Sequence, residues 1–282
     1  MIVTEHFPSA PLNTYINTLR YCEGLAPYRQ VKALPTPALN LMISFDDVYH
    51  CYNSEDTKPY LTCDDSWSIG LWNRHHVIDW PRNMQLLIVD FKPGGAYPFL
   101  QVPLSELHND IVPMEAIWGN LAAEIREQLC GAPTIQARFS LLEQLLLARL
   151  NEVPDGLSEV QYALSEIEHH HGSLPIKDIA EEVSMSHNHL TRQFQRLVGG
   201  TPKEVARICR FRYALSNLVI TQPIDWSEVA CQAHYYDQSH FNNDFKAFTG
   251  HTPTDFLRFH RQIQMDRPTL LFKYIPKYVA GG

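Results

Sequence analysis

The chain of 282 residues is expected to adopt an α+β fold, a small antiparallel β barrel or sandwich with two helices followed by an all-α half. Three observations predict it. Short apolar runs broken by proline and glycine fill roughly the first 110 residues. From about residue 115 the apolar period becomes helical. The C-terminal half then contains an internal repeat.

Each element has its own signal. In LNLMISF (39–45), Leu39, Leu41, Ile43 and Phe45 alternate as on one face of a strand. WSIGLW (67–72) places Trp67, Ile69 and Leu71 together, and LLIVDF (86–91) is a short continuous apolar run. LPTP (34–37) and KPGGAYP (92–98) are turn signals, and prolines 81, 93, 98, 103 and 113 argue against long helices in this region. Ile117, Leu121, Ile125 and Leu129 recur at helical spacing until Gly131–Pro133 stops them. Phe139, Leu142, Leu145, Leu146 and Leu150 mark a second helix. NEVPDGLS (151–158) reads as a linker, and Leu157, Val160, Leu164 and Ile167 open a helical region.

Composition fits a globular chain: 45% hydrophobic residues and 19% charged exclude disordered, collagen-like and coiled-coil-only readings. No stretch approaches the ~18 consecutive apolar residues of a membrane span. MIVTEHFPSAP lacks the basic-then-apolar pattern of a signal peptide, so a cytoplasmic protein is expected. The six cysteines (22, 51, 63, 130, 209 and 231) form no CxxC pair and read as reduced thiols. The net charge of −8 argues at first against nucleic acid. Within 185–262, however, nine bases face six acids, and local charge governs a local footprint.

The repeat carries the functional reading. DIAEEVSMSHNHLTRQFQRLVGGTPKEV (178–205) parallels EVACQAHYYDQSHFNNDFKAFTGHTPTDF (228–256). Ala180 matches Ala230; after one inserted residue, Leu190, Phe194, Gly199, Thr201 and Pro202 match Phe241, Phe245, Gly250, Thr252 and Pro253. Each copy reads helix, tight turn, helix. Ser184 and His234 fall in the turns, where a positive φ favours glycine. Gly199 and Gly250 end one helix, while Thr201 and Thr252 cap the next, with proline at its first position. Glu204 completes a capping box, and Asp255 a weaker one.

The second helix of each copy is two-sided. Leu190, Phe194 and Leu197 oppose Asn188, Thr191, Arg192 and Gln195; Phe241, Phe245 and Phe248 oppose Ser239, Asn242, Asn243 and Lys246. One polar outer face is ordinary for a helix. Two such faces, each in a helix-turn-helix frame, suit helices in a major groove, where Arg reads guanine and Asn or Gln reads adenine. With the flanking positions, the expected DNA-contacting set is Ser186, His187, Asn188, Thr191, Arg192, Gln195 and Arg196, then Gln238, Ser239, Asn242, Asn243 and Lys246.

Residues 160–262 resemble the DNA-binding domain of the AraC/XylS transcription regulators, through IKDIAEEVSMSHNHLTRQFQRLVGGTP, ICRFRYALSNL and WSEVACQAHYYDQSHFNNDFKAFTGHTPTDF. Arg210 and Ala214 fit the R-x-x-x-A of the family's linker helix. The resemblance implies two helix-turn-helix units joined by a long helix at about 202–219, with both recognition helices in successive major grooves. It implies a regulator without catalysis or cofactor. Its partners would be double-stranded DNA, a small-molecule effector, RNA polymerase and a second copy of the chain. It divides the chain into a sensor and dimerisation domain (1–152), a DNA-binding domain (157–262) and a tail (263–282) of unassigned role. The family often carries glycine where Ser184 and His234 stand, and arginine where Asn243 stands, so the first reading helix is expected to carry more of the specificity.

The N-terminal half resembles the family's sensor domains in architecture alone. Its dense aromatics suit a small apolar or planar effector, for which Tyr49, Trp67, Trp72, His75, Trp80 and Tyr97 are the candidates. His75 and His76 are adjacent on a strand and point apart, so no metal site is expected there. His169–His171 end a helix, where a favourable contact with its dipole explains them. Cys51 and Cys63 read as buried hydrophobes. The leucines of 141–150 form a stripe wider than one core needs, which suits a dimer. Two other readings remain: a cupin-like metal-dependent enzyme, and an architectural DNA-binding protein without an effector. The chain shows no nucleophile–base arrangement and no Gly-rich phosphate loop.

Overall fold

The computed structural model describes residues 1–26, 30–45, 48–52, 58–150, 154–218, 223–258 and 274–276. Its N-terminal half is a sandwich of two antiparallel sheets that do not close into a barrel. The strands are β1 (Ile2–His6), β2 (Ile16–Leu25), β3 (Gln30–Ala33), β4 (Asn40–Ser44), β5 (Tyr49–Tyr52), β6 (Leu61–Cys63), β7 (Ser66–Ile69), β8 (His76–Asp79), β9 (Asn83–Phe91) and β10 (Ile111–Pro113). One sheet runs β1-β2-β9-β4-β7-β10. The other runs β3-β8-β5-β6, and β11 (Tyr274–Pro276), from the C-terminal tail, pairs antiparallel with the free edge of β3.

The central strands β9 and β4 of the six-stranded sheet are buried on both faces, which explains their unbroken apolar runs. In β9, Leu87, Val89 and Phe91 face the helices while Met84, Leu86 and Ile88 face the second sheet. β4 behaves alike: Leu41 and Ile43, with Leu39 just before the strand, pack on the helical side, and Met42 points the other way. The expected grouping of Trp67, Ile69 and Leu71 divides, because β7 ends at Ile69. Trp67 and Ile69 stay between the sheets, whereas Leu71 joins the helical core.

Four helices follow in the N-terminal half: α1 (Tyr97–Leu100), α2 (Met114–Trp118), α3 (Asn120–Gly131) and α4 (Ile135–Arg149). α4 buries Phe139, Leu142 and Leu146, while Leu141 and Leu145 are half-buried and Leu147 is 42% exposed. Part of the linker (151–153) lies outside the described residues, and α5 (Leu157–His169) opens the C-terminal half. His171, just beyond α5, stacks on Tyr213 at 3.8 Å between ring centroids. One apolar core runs without a break from the six-stranded sheet through α3 and α4 into the C-terminal helices. No helix among the described residues is long and apolar enough to cross a membrane.

The helices α6 (Ile176–Glu182), α7 (His187–Leu197), α8 (Pro202–Ser216), α9 (Trp226–Gln232) and α10 (Gln238–Thr249) form the repeat, followed by a helical segment at 253–258. The α6–α7 and α9–α10 turns are built alike. Ser184 and His234 take φ of 55° and 59°, in the left-handed region, as their turn positions require. In each turn the next amide closes on the matched alanine: Met185 N donates to Ala180 O and Tyr235 N to Ala230 O, both at 2.9 Å. Ser186 caps α7, Asp225 caps α9 and Asp237 caps α10. The Thr201–Glu204 capping box starts α8, the linker helix.

Candidate nucleic-acid interface

The first unit presents one face of α7. Leu190, Phe194 and Leu197 are fully buried, so the opposite row must face outward. His187, Asn188, Arg192 and Gln195 are exposed and Thr191 is half-buried, its hydroxyl donating to His187 O at 2.9 Å. The Ser186 hydroxyl accepts the capping bond from His189 N. Arg192 has no acidic partner among the described residues. Arg196 turns away from the row, toward the N-terminal half. Its Nε donates to Tyr97 Oη at 3.4 Å and its guanidinium lies 5.3 Å from the Tyr97 ring centroid.

The second unit is built on aromatics. Phe241, Phe245 and Phe248 are fully buried, and Trp226, Phe211 and Phe256 pack against them. Gln238, Ser239, Asn243 and Lys246 are exposed, while Asn242 is half-buried with its side-chain oxygen covered. Arg192 and Gln195 correspond to Asn243 and Lys246, so the cation sits one turn further along the second helix. Gln238 Oε1 accepts from Ser227 Oγ at 2.8 Å. The linker helix grips this unit through Arg207, whose Nη2 donates to Asp244 Oδ1 at 2.6 Å. Asp244 is buried, and the pair holds the Arg207 pKa above its ordinary value. Arg210 lies over the Tyr235 ring at 5.4 Å. One surface group escaped sequence reasoning. Tyr235 is buried but its neighbour Tyr236 is 92% exposed beside the start of α10. An aromatic pair in that turn was the signal.

A family model described as a helix-turn-helix domain matches residues 179–258, which takes in both units. Residues 179–258 form an AraC-type helix-turn-helix domain. A model described as a domain of unknown function (DUF6597) matches residues 4–113. No curated protein matches the chain. Among solved structures, ToxT from Vibrio cholerae is 12% identical, with a TM-score of 0.46 over 85% of this chain and 98% of that one. ToxT bound to an unsaturated fatty acid is 12% identical, with a TM-score of 0.44 over 87% of this chain and 95% of that one. The AraC-like activator CuxR is 13% identical, with a TM-score of 0.28 over 76% of this chain and 86% of that one.

The N-terminal half touches both units of the AraC-type domain at their matched G-x-T-P turns. At the first turn, a Cβ on Gly199 (φ 98°) would stand 2.9 Å from the Leu104 carbonyl oxygen. Glu204 Oε1 accepts from Asn73 Nδ2 at 2.9 Å and lies 3.4 Å from His108 Nε2. Its Oε2 accepts from Thr201 N at 2.8 Å and Thr201 Oγ1 at 3.0 Å. His108 above all, with Thr201 and Asn73, holds the Glu204 carboxyl well below the usual carboxylate range, although burial opposes this.

At the second turn, a Cβ on Gly250 (φ 74°) would stand 2.6 Å from the His75 ring. Lys32 Nζ lies 2.9 Å from His251 Nε2. Burial, then the charge of Lys32, lowers the His75 pKa to about 4, and burial lowers that of His76 to about 3. The segment from Leu71 to His76 thus serves both turns, with Leu71 and Asn73 on the first unit and His75 on the second.

Between the two sheets lies an apolar cavity of about 410 Å³. Tyr49, Trp67 and Trp80 line it with Met42, Met84 and Cys51. The other three aromatic candidates stand elsewhere. The buried Trp72 ring meets His76 at 4.3 Å, His75 meets Gly250, and Tyr97 meets Arg196. Among the described residues, no group of three or more His, Cys, Asp or Glu side chains is placed to hold a metal ion.

Proposed function

We propose that this chain is a sequence-specific transcription regulator that reads double-stranded DNA with α7 and α10 and answers a small effector through its N-terminal half. One observation carries the reading. Two repeated helices each rest on a sealed apolar stripe and turn a row of amide, hydroxyl and cationic groups outward. That is the chemistry of base-edge recognition. Ser186, His187, Asn188, Thr191, Arg192 and Gln195, with Gln238, Ser239, Asn242, Asn243 and Lys246, form its reading surface. Arg196 joins them only when it leaves Tyr97.

The effector site in this reading is the cavity between the sheets. Its size lies within the range of small-molecule sites, and Tyr49, Trp67 and Trp80 suit an apolar or planar ligand. Domains at 1–152 and 157–262 and a tail from 263, a cytoplasmic setting, RNA polymerase as a partner and a dimer through the leucines of α4 complete the reading.

Selection from a random DNA library with the full-length chain tests it. Two enriched blocks about one helical turn apart are expected. Absence of enrichment, both with the full chain and in the presence of ligands that occupy the cavity, overturns it.

A further inference from the structure

A second cleft, of about 720 Å³, opens between the N-terminal sheet and the helices α5 and α8. It is separate from the cavity between the sheets. Its walls mix polar and apolar groups and come from both halves of the chain, the polar ones being Asn17 and Lys92 on one side and Gln161, Ser165, Glu168 and Arg212 on the other.

The charges in this cleft are unevenly matched. Asp90 on its wall is engaged by Arg20, through Nε at 2.5 Å and Nη2 at 2.8 Å, and by Thr18 at 3.1 Å. Arg212, in contrast, has only the Pro35 carbonyl, at 3.4 Å from its Nη1, and no carboxylate within ion-pair distance among the described residues. The exposed Lys92 has no acidic partner among them either. With Asp90 already matched by Arg20, the two cations and the carboxylate of Glu168 leave one positive charge to be matched. A guanidinium offers a planar fork of donors to a carboxylate or phosphate. The amides of Asn17 and Gln161, the Ser165 hydroxyl and the Glu168 carboxylate offer donors and acceptors suited to hydroxyl groups.

We propose that this cleft binds a small polyhydroxylated anion, its charged group on Arg212 and Lys92 and its hydroxyls on the amides and Glu168. Such a ligand touches both halves at once and favours the arrangement in which they meet. The proposal stands apart from the DNA reading and from the cavity between the sheets.

Thermal unfolding of the full-length chain tests it, with D-gluconate as the carboxylate probe and D-glucose 6-phosphate as the phosphate probe. D-glucose and acetate supply the hydroxyls and the charge separately. A saturable rise in Tm is expected with at least one of the two anionic sugars and not with glucose or acetate. The probe that acts identifies the charged group. Arg212→Ala is expected to weaken that binding at least about tenfold by isothermal titration, and Arg212→Lys to retain part of it. Arg212 is exposed on α8, and an unliganded Tm within the wild-type range checks that each variant is folded. No rise with either anionic sugar, an equal rise with glucose or acetate, or unchanged affinity in Arg212→Ala overturns the proposal.

Discussion

The two helix-turn-helix units share a backbone design and differ in what holds them. Both turn through a left-handed residue, close on an alanine and leave through G-x-T-P. The first fills its interior with Leu190, Phe194 and Leu197 and is tied to the N-terminal half through Glu204, Gly199 and Arg196. The second fills its interior with three phenylalanines, is tied to the linker helix by Arg207–Asp244 and meets the N-terminal half through His75, Lys32 and His251. Equivalent backbones thus tolerate different anchors, because the turn geometry lies in main-chain hydrogen bonds while the anchors are side chains free to diverge.

Substitutions can break this comparison. The largest effect is expected from Phe245→Ala, which empties the aromatic centre of the second unit at a cost of about 3–5 kcal/mol. Calorimetry should show it. If the units unfold as one through α8, Phe194→Ala gives a comparable loss; a separate early transition in Phe245→Ala alone would show them uncoupled.

Acid should separate the two attachments. His75 and His76 are held neutral, with pKa values of about 4 and about 3 against an ordinary value near 6.5. The unfolded chain binds more protons in that window. Their contribution is therefore complete above about pH 6.5 and falls as the pH drops toward 4. Glu204 stays ionised throughout that range. Hydrogen exchange from pH 7 to pH 5 should loosen the Gly250–His251 turn before the Gly199–Thr201 turn. Simultaneous loosening would contradict this assignment.

For DNA binding, Arg192→Ala is expected to cost roughly 1–3 kcal/mol and to relax one base position, read by binding to a panel of substituted sites. Equal loss on every sequence would make Arg192 a phosphate contact. Gly199→Ala should destabilise the fold by more than about 1 kcal/mol in denaturant titration, from its positive φ and the Leu104 carbonyl in its path. The smallest change is expected of Lys246→Ala: a salt dependence shallower by about one counterion and little change in sequence preference.

Local rules made the C-terminal half legible. A turn needs a residue that accepts positive φ, a helix start needs a cap, and a buried helix face needs a 3.6-residue stripe. Ser184, His234, Thr201, Glu204 and the Phe241–Phe245–Phe248 row all answer such rules within a few positions of chain. The aromatics of the N-terminal half answer contacts made across the chain. Tyr97 meets Arg196, 99 positions away, and His75 meets Gly250. Nothing near either residue in sequence separates it from Trp67 or Trp80, which face the cavity. The continuous run in β9 hid its division between two cores for a related reason. A strand apolar on both faces shows no alternation, so its period does not tell which side is which.

Glu204 divides its labour by atom. One carboxylate oxygen keeps the linker helix capped, and the other holds Asn73 beside His108. If the N-terminal half withdraws, Oε1 passes to water while Oε2 keeps its bonds to Thr201. The rod that joins the two reading heads therefore need not fray when its neighbour leaves. Coupling and scaffolding are carried by the same side chain yet can be undone separately, and a glutamine at position 204 would probe that separation one oxygen at a time.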